Sequence, residues 1–249
     1  MGSRGFASDE RFRLRRGRSR EDSQHSFASP LLIRESRLKQ SGRDEFRPPF
    51  PDSTEFYPLS LRLLGDSAFL YFVGYMWDTA NQKEATVAAI DTAMQSDVKF
   101  AFDLADPFVV QRYRDDFLEW IPRKVDVLFG NREEISLMLA KKESDESLIR
   151  SAAQLAHLVI MKVGAKGCYV SRAGRTFHSP ANKVEAVDTI GAGDFFSSGF
   201  LFGLIKGLDI EKCACLANSL AAEIVGVKGC SLKNLDQKQI LACLDASPR

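Results

Sequence analysis

The chain has 249 residues, 45% of them apolar, and a formal net charge of +1. That composition suits the core of one large soluble domain or two small ones, and so neutral a balance singles out no polyanionic partner. No apolar run reaches the roughly 18 residues of a membrane span and no apolar leader opens the sequence, so neither a membrane protein nor a secretory precursor is expected.

Residues 1 to about 60 differ from the rest. The stretch RFRLRRGRSREDSQHSF is rich in Arg and Ser and poor in aliphatic side chains. Such a segment buries too little apolar surface to offset its ordering entropy, which predicts a disordered basic tail over 1–60. A solvated tail, an organelle transit peptide and a basic arm for an anionic surface all fit that composition. Asp9, Glu10, Glu21 and Asp22 weigh against a transit peptide. Phe12 is the one aromatic residue within the basic run 11–20, and so sparse an interleaving weighs against base stacking. No nucleic-acid or membrane partner is therefore expected, and the location expected is cytoplasmic, with an organelle as the alternative.

From about Leu64 the pattern becomes regular. Ala68 to Tyr75 is a short apolar run that reads as a buried strand, and Gln82 to Gln95 has helical spacing. Val98 to Ala105 reads as a second strand. Asp106 then reads as the N-cap of a helix over Asp106 to Ile121, with Pro107 at its first position. A strand at Val125 to Gly130 is followed by helices at Arg132 to Ala140 and Asp145 to Leu155. Leu158 to Val163 is a fourth strand, and Gly167 to Arg172 with Arg175 to Pro180 forms a hairpin around Ala173 and Gly174. Helices over Gly191 to Lys206, Ile210 to Val227 and about Leu235 to Leu244 close the chain.

Strands alternating with helices imply βαβ units: an α/β fold with a mostly parallel sheet covered by helices on both faces. Ligands bind beyond the carboxyl ends of such strands, which directs attention to the loops after Val73, Leu104, Phe129 and Val163. The five cysteines include no CxxC pair, and His25, His157 and His178 stand at no ligand spacing. Cys213 and Cys215, two apart on a helix, face different ways. Reduced, structural cysteines are expected.

Three short stretches carry chemistry. In GNREE, Asn131 and Glu134 supply an amide oxygen and a carboxylate, hard ligands that suit Mg²⁺ directly or through its waters. The same spacing also makes a capping box. In GAKG, Gly164 lets the backbone approach a ligand, or simply makes a turn. In DTIGAGD, Gly191, Ala192 and Gly193 present consecutive amides at a helix mouth, where donors and dipole favour an anion such as phosphate. A plain N-cap explains one aspartate there, but not both Asp188 and Asp194.

DTIGAGD resembles the C-terminal signature of the PfkB, or ribokinase-like, carbohydrate and nucleoside kinases. NREE is similar to that family's NxxE motif, MKVGAKG to its nucleotide loop, and LANSLAAEIVGVKGCS to its adenine-side helix and loop. The stretch from Phe108 to Glu134 looks most like the adenosine-kinase branch. Order and spacing agree over about Ala68 to Leu244.

The resemblance implies a ribokinase-like (Rossmann-like) fold and an ATP-dependent kinase of a sugar or nucleoside. It implies Asp194 as the catalytic base and Gly191, Ala192 and Gly193 as the anion hole. Asn131 and Glu134 organise Mg²⁺ and phosphate. Lys162, Gly164, Gly167 and Asn218 belong to the nucleotide site, with Lys162 standing where many relatives have Thr. Asp188 and Ile190 match part of a monovalent-cation site for K⁺. Phosphoryl transfer asks for this kind of equipment, positioning and charge stabilisation more than covalent chemistry.

The family's N-terminal half normally brings a GGxxxN-type signature, an early Asp for the acceptor hydroxyls and a β-lid. The chain contains no GG dipeptide. The expectation is a kinase domain over 64–249, truncated at the N-terminus, with no clear β-lid and on the order of a hundred residues fewer than a single-domain relative. A nucleotide-binding remnant without transfer activity is the alternative function. Neither the acceptor nor the oligomeric state is written in these motifs.

Overall fold

Short β-rich runs flanked by polar turns become the strands of one sheet in the computed structural model, which describes residues 67–95 and 98–229. The tail expected to be disordered over 1–60, the helix expected near Leu235 to Leu244, Cys230 and Cys243 lie outside the described residues. The strands are β1 (Phe69–Val73), β2 (Lys99–Asp103), β3 (Val127–Asn131), β4 (Leu158–Lys162), β5 (Cys168–Arg172) and β6 (Arg175–Ser179). They lie side by side in chain order. β1 to β4 pair in parallel, and β5 and β6 are added antiparallel as the expected hairpin. Among the described residues every strand belongs to this sheet, and no separate lid sheet is present.

The connections follow from local chemistry. After β1, Gly74–Trp77 makes a 3₁₀ turn, and α1 (Ala80–Ala93) starts where the Thr79 side chain accepts from the Gln82 amide. Gly74 is held close: a Cβ there would stand 2.5 Å from the Leu104 carbonyl oxygen. The helix α2 (Pro107–Lys124) begins as its sequence predicts, with the Asp106 carboxylate accepting from Phe108 N at 2.7 Å and proline at the first turn. α3 (Arg132–Leu139) and α4 (Asp145–Ala152) follow β3. α5 (Ala192–Ile205) and α6 (Ile210–Val225) follow the hairpin.

The two-residue alternation of the strands separates two cores. Phe72, Phe100, Phe102, Leu128, Val159 and Met161 face α1 to α4, where Trp77, Phe117 and Ile121 join them. Ala101, Val127, Phe129, Leu158, Ile160 and Val170 face α5 and α6, against Phe196, Phe200 and Cys213. The same parity puts Tyr71, Asp103 and Lys162 on the α5 side, the last two at the carboxyl ends of their strands. Asp103 pairs in register with Phe129 and Lys162 with Asn131. The sheet thus delivers one acidic and one basic side chain to the mouth of α5.

α5 is apolar almost all round, so it packs hard against its neighbour as well as the sheet. Gly199 and Gly203 let α6 come close: a Cβ on Gly199 would stand 2.6 Å from Leu220 Cδ1, and one on Gly203 2.8 Å from Cys213 Sγ. Among the described residues Cys168, Cys213 and Cys215 form no disulfide, and the first two are buried. Burial pushes the Cys168 and Cys213 thiols up to about 12, which keeps them protonated and inert.

Candidate active site

The turn before α5 is set by Gly191, whose φ of 79° lies in the left-handed region that glycine occupies without strain. The helix therefore starts with no side-chain cap. Of the three amides expected to form an anion hole, that of Ala192 donates to Thr189 O at 3.2 Å. Gly193 is the second residue of the helix, so no carbonyl four residues back lies within it, and its amide belongs to the orphan donors of the first turn. Asp194 lies in that same turn and is exposed.

Beneath Gly193 stands a residue from β4. A Cβ built on Gly193 would meet Lys162 Nζ at 3.5 Å and nothing nearer. The ammonium group is fixed by Asp103 of β2, with Nζ donating to Oδ2 at 2.8 Å; the two side chains are 17% and 3% exposed. The same carboxylate oxygen accepts from Ser197 Oγ at 2.9 Å and, more distantly, from Tyr71 OH at 3.5 Å. Its other oxygen accepts from Ala105 N at 3.2 Å. Ala105 has a φ of 68°, a left-handed turn directly after the strand. Burial, with the carboxylates of Asp103 and Asp194 nearby, holds the Tyr71 phenol far above its ordinary value. Asp103, Ser197 and Tyr71 are absent from the residues singled out in the sequence. The available signal was a carboxylate at the end of the apolar run Phe100 to Phe102.

Asn131 and Glu134 realise the capping box in full. Asn131 Oδ1 accepts from Glu134 N at 2.9 Å, and Glu134 Oε2 accepts from Asn131 N at 2.7 Å. Asn131 Nδ2 also donates to Glu134 Oε1 at 2.6 Å. Glu134 is 2% exposed, and burial pushes its carboxyl up to about 7, against the lowering effect of the Asn131 amide and of Lys162. Among the described residues no group of three or more His, Cys, Asp or Glu side chains could cage a metal. With both Glu134 carboxylate oxygens engaged by Asn131, a Mg²⁺ beside this box would have to take its oxygens from water and phosphate.

The remaining expected residues divide. Gly164 is exposed at φ 60° with open space above it. With Asn131, Lys162 and Lys166 it borders a shallow depression of about 270 Å³. Gly167 is buried and structural: at φ 100°, a Cβ would stand 2.1 Å from Ser179 O. Asn218 is buried at 4% exposure, and its amide donates to Ser179 O, Ser179 Oγ and Pro180 O at 3.1–3.2 Å, bracing the end of β6 against α6. Asp188 ties the loop before α5 together, accepting from Ile190 N at 3.0 Å and Gly229 N at 3.1 Å. Those amides hold its carboxyl below the ordinary range. Ile190 itself is 69% exposed.

Glycine turn, helix mouth, half-buried lysine and exposed aspartate meet at the carboxyl ends of parallel strands, where α/β proteins bind phosphate-bearing ligands. Comparison with known proteins gives that class a family. The model of the pfkB family of carbohydrate kinases matches residues 38–237, and the chain belongs to that family. The match begins at residue 38, inside the basic segment.

A 5-dehydro-2-deoxygluconokinase of Bacillus velezensis is 32% identical over 149 residues, 57% of this chain and 45% of that protein. A sugar kinase of Archaeoglobus fulgidus, uncharacterised, is 30% identical over 150 residues, 59% of this chain and 55% of its own length. Among solved structures, the adenosine kinase of Sinorhizobium meliloti superposes with a TM-score of 0.69 at 30% identity, covering 78% of this chain and 59% of that one. The chain thus spans about half the length of the curated relatives it matches. Among the described residues no helix is long and apolar enough to cross a membrane.

Proposed function

We propose that the chain works as an ATP-dependent phosphotransferase acting on an alcohol group of a sugar or nucleoside. The observation that carries this reading is the Lys162 ammonium group, set 3.5 Å from where a Gly193 side chain would begin, with Asp194 exposed in the same helical turn. Such a mouth offers the transferring phosphoryl group a cation, an orphan amide and the positive end of α5. Asp194 takes the proton from the acceptor hydroxyl as the base. Gly191 shapes the anion hole, Gly193 donates to it, and Ala192 contributes through the turn that its amide closes on Thr189.

Lys162 and Gly164 meet the nucleotide phosphates. Gly167 and Asn218 act by bracing the chain that borders the adenine. Mg²⁺ arriving with the triphosphate would neutralise phosphate charge, faced by Asn131 and Glu134 through water. Asp188 and Ile190 shape the loop that would take K⁺. Likeness to a nucleoside kinase and to sugar kinases supports both acceptor classes. The kinase domain is proposed to include residues 64–249, in a cytoplasmic protein.

A second reading, nucleotide binding without transfer, is favoured by the closed Asn131–Glu134 box, in which both carboxylate oxygens are already engaged. The test is transfer of label from γ-labelled ATP, with Mg²⁺ and K⁺, to a panel of sugars and nucleosides by the full chain and by Asp194→Asn. The kinase reading expects label on one acceptor and a fall of about 10²-fold or more in the variant. Equal transfer by both proteins would remove Asp194 as base. ATP binding with no transfer to any acceptor would leave the second reading.

A further inference from the structure

The buried carboxylate of Asp103 has no place in the chemistry above, yet it accepts from Lys162, Ser197, Tyr71 and Ala105. We propose that Asp103 is a positioning residue: it holds Lys162 beneath the Gly193 turn as a preorganised cation for a polyphosphate chain. The inference rests on the phosphate-binding part of the proposed function, not on transfer.

Lysine is a poor phosphate ligand when its long stem is free, because binding then has to freeze its rotamers. Here that ordering is already done. Lys162 leaves the end of β4 on the α5 face, and its amino group crosses over β3 to an aspartate two strands away. Among the described residues Asp103 is the hydrogen-bond partner of Nζ, at 2.8 Å. An ammonium group has three N–H donors, so two are left to point toward the turn at Gly193 and the depression that Lys162 borders with Gly164.

Asp103 is itself immobilised by Ser197 Oγ from the second turn of α5 and by Ala105 N. The helix that presents the amide therefore also fixes the carboxylate that fixes the ammonium group. Amide and cation are registered to one another before any anion arrives, which spares the reorganisation that would otherwise weaken binding.

This arrangement makes a prediction opposite in sign to simple charge arithmetic. Removing a carboxylate 2.8 Å from the ammonium group makes the site more positive, and Coulomb attraction alone would tighten anion binding. A positioning role predicts weaker binding.

The probe is inorganic tripolyphosphate, titrated calorimetrically into the full chain, with thermal midpoints recorded for each protein. Lys162→Met is expected to weaken binding by about tenfold or more, the worth of a charge-assisted hydrogen bond. Asp103→Asn is expected to weaken it by about fivefold and Ser197→Ala by about twofold, Ser197 acting only through Asp103. In a Lys162→Met background Asp103→Asn is expected to change nothing further. The ¹⁵N resonance of Lys162 Nζ is expected to shift on titration in the unmodified chain.

Tighter or unchanged binding by Asp103→Asn overturns the proposal. So does an undiminished effect in the Lys162→Met background, a Lys162 resonance that ignores the probe, or an unmodified chain that does not bind tripolyphosphate. If Asp103→Asn does not fold, Ser197→Ala and the Asp103→Asn/Lys162→Met pair decide the matter. Tripolyphosphate binding that depends on Lys162 and Asp103, in a chain that transfers no label, faults the kinase reading and leaves this one standing.

Discussion

Three glycines on one helix should answer the same substitution in three different ways. In the interior of α5, alanine gains about 1 kcal/mol over glycine from backbone entropy alone. Against that stands whatever the new methyl group meets. At Gly199 it would meet Leu220 Cδ1 at 2.6 Å and the Ala217 Cα at 3.2 Å. At Gly203 it would meet Cys213 Sγ at 2.8 Å, Cα at 3.1 Å and Cβ at 3.2 Å.

A leucine methyl can rotate away, but the whole of Cys213 cannot. Overpacking costs about 1–3 kcal/mol, so Gly199→Ala should lose about 1 kcal/mol net and Gly203→Ala about 2. Gly193, with only Lys162 Nζ at 3.5 Å, should tolerate alanine at no cost in stability. Thermal melts of the full chain read this out, at roughly 2–4 °C per kcal/mol for a domain of this size. A rise in midpoint for Gly203→Ala, or a larger loss at Gly193 than at Gly203, would refute the packing argument.

The Glu134 carboxyl, pushed up to about 7 from an ordinary 4.5 by burial, favours folding while protonated. Its contribution is complete below about pH 4.5 and is lost as pH rises through about 7, to a total of about 3 kcal/mol. In chemical denaturation without nucleotide or metal, Glu134→Gln should therefore lose less stability than the unmodified chain between pH 5 and pH 8; parallel pH profiles would contradict this. Gly167→Ala should cost about 3 kcal/mol or more, since the site combines positive φ with a close backbone contact, and soluble, fully folded protein at 37 °C would count against it. Cys168 and Cys213 should resist a thiol reagent at pH 8 until the chain is unfolded; rapid labelling of either in the native protein would show that the sheet–helix core opens.

The alternation of strands and helices was legible because each strand is a short apolar run stopped by Gly, Asp or Pro, and each helix has a recognisable start. Asp106 with Pro107 gave the start of α2 to the residue, since a side-chain cap and a proline are local signals. Strand ends shifted by one or two residues, as at β1, where the expected strand ran on into Gly74 and Tyr75. The chain instead turns there into a short 3₁₀ segment against Leu104.

The glycine turn and Asp194 were legible for the same reason of locality. The Asp103–Lys162 pair was not, because its members lie 59 residues apart and meet only when β2 and β4 are placed in one sheet. The spacing of Asn131 and Glu134 left metal and capping box both open, and the box is what the side chains form. For Asn218 the helix was readable but its direction was not, and its amide turns to the end of β6.

The mouth of α5 is proposed to hold the reacting phosphate between Gly193, Lys162 and Asp194. The most direct measurement is a crystal structure of the full chain with Mg²⁺ and a non-hydrolysable ATP analogue. A terminal phosphate is expected within about 3 Å of Gly193 N and Lys162 Nζ, with the Asp194 carboxylate facing its open side and Lys162 still bonded to Asp103. A terminal phosphate lodged against Arg132 and Lys166 instead, with Lys162 untouched, would contradict it.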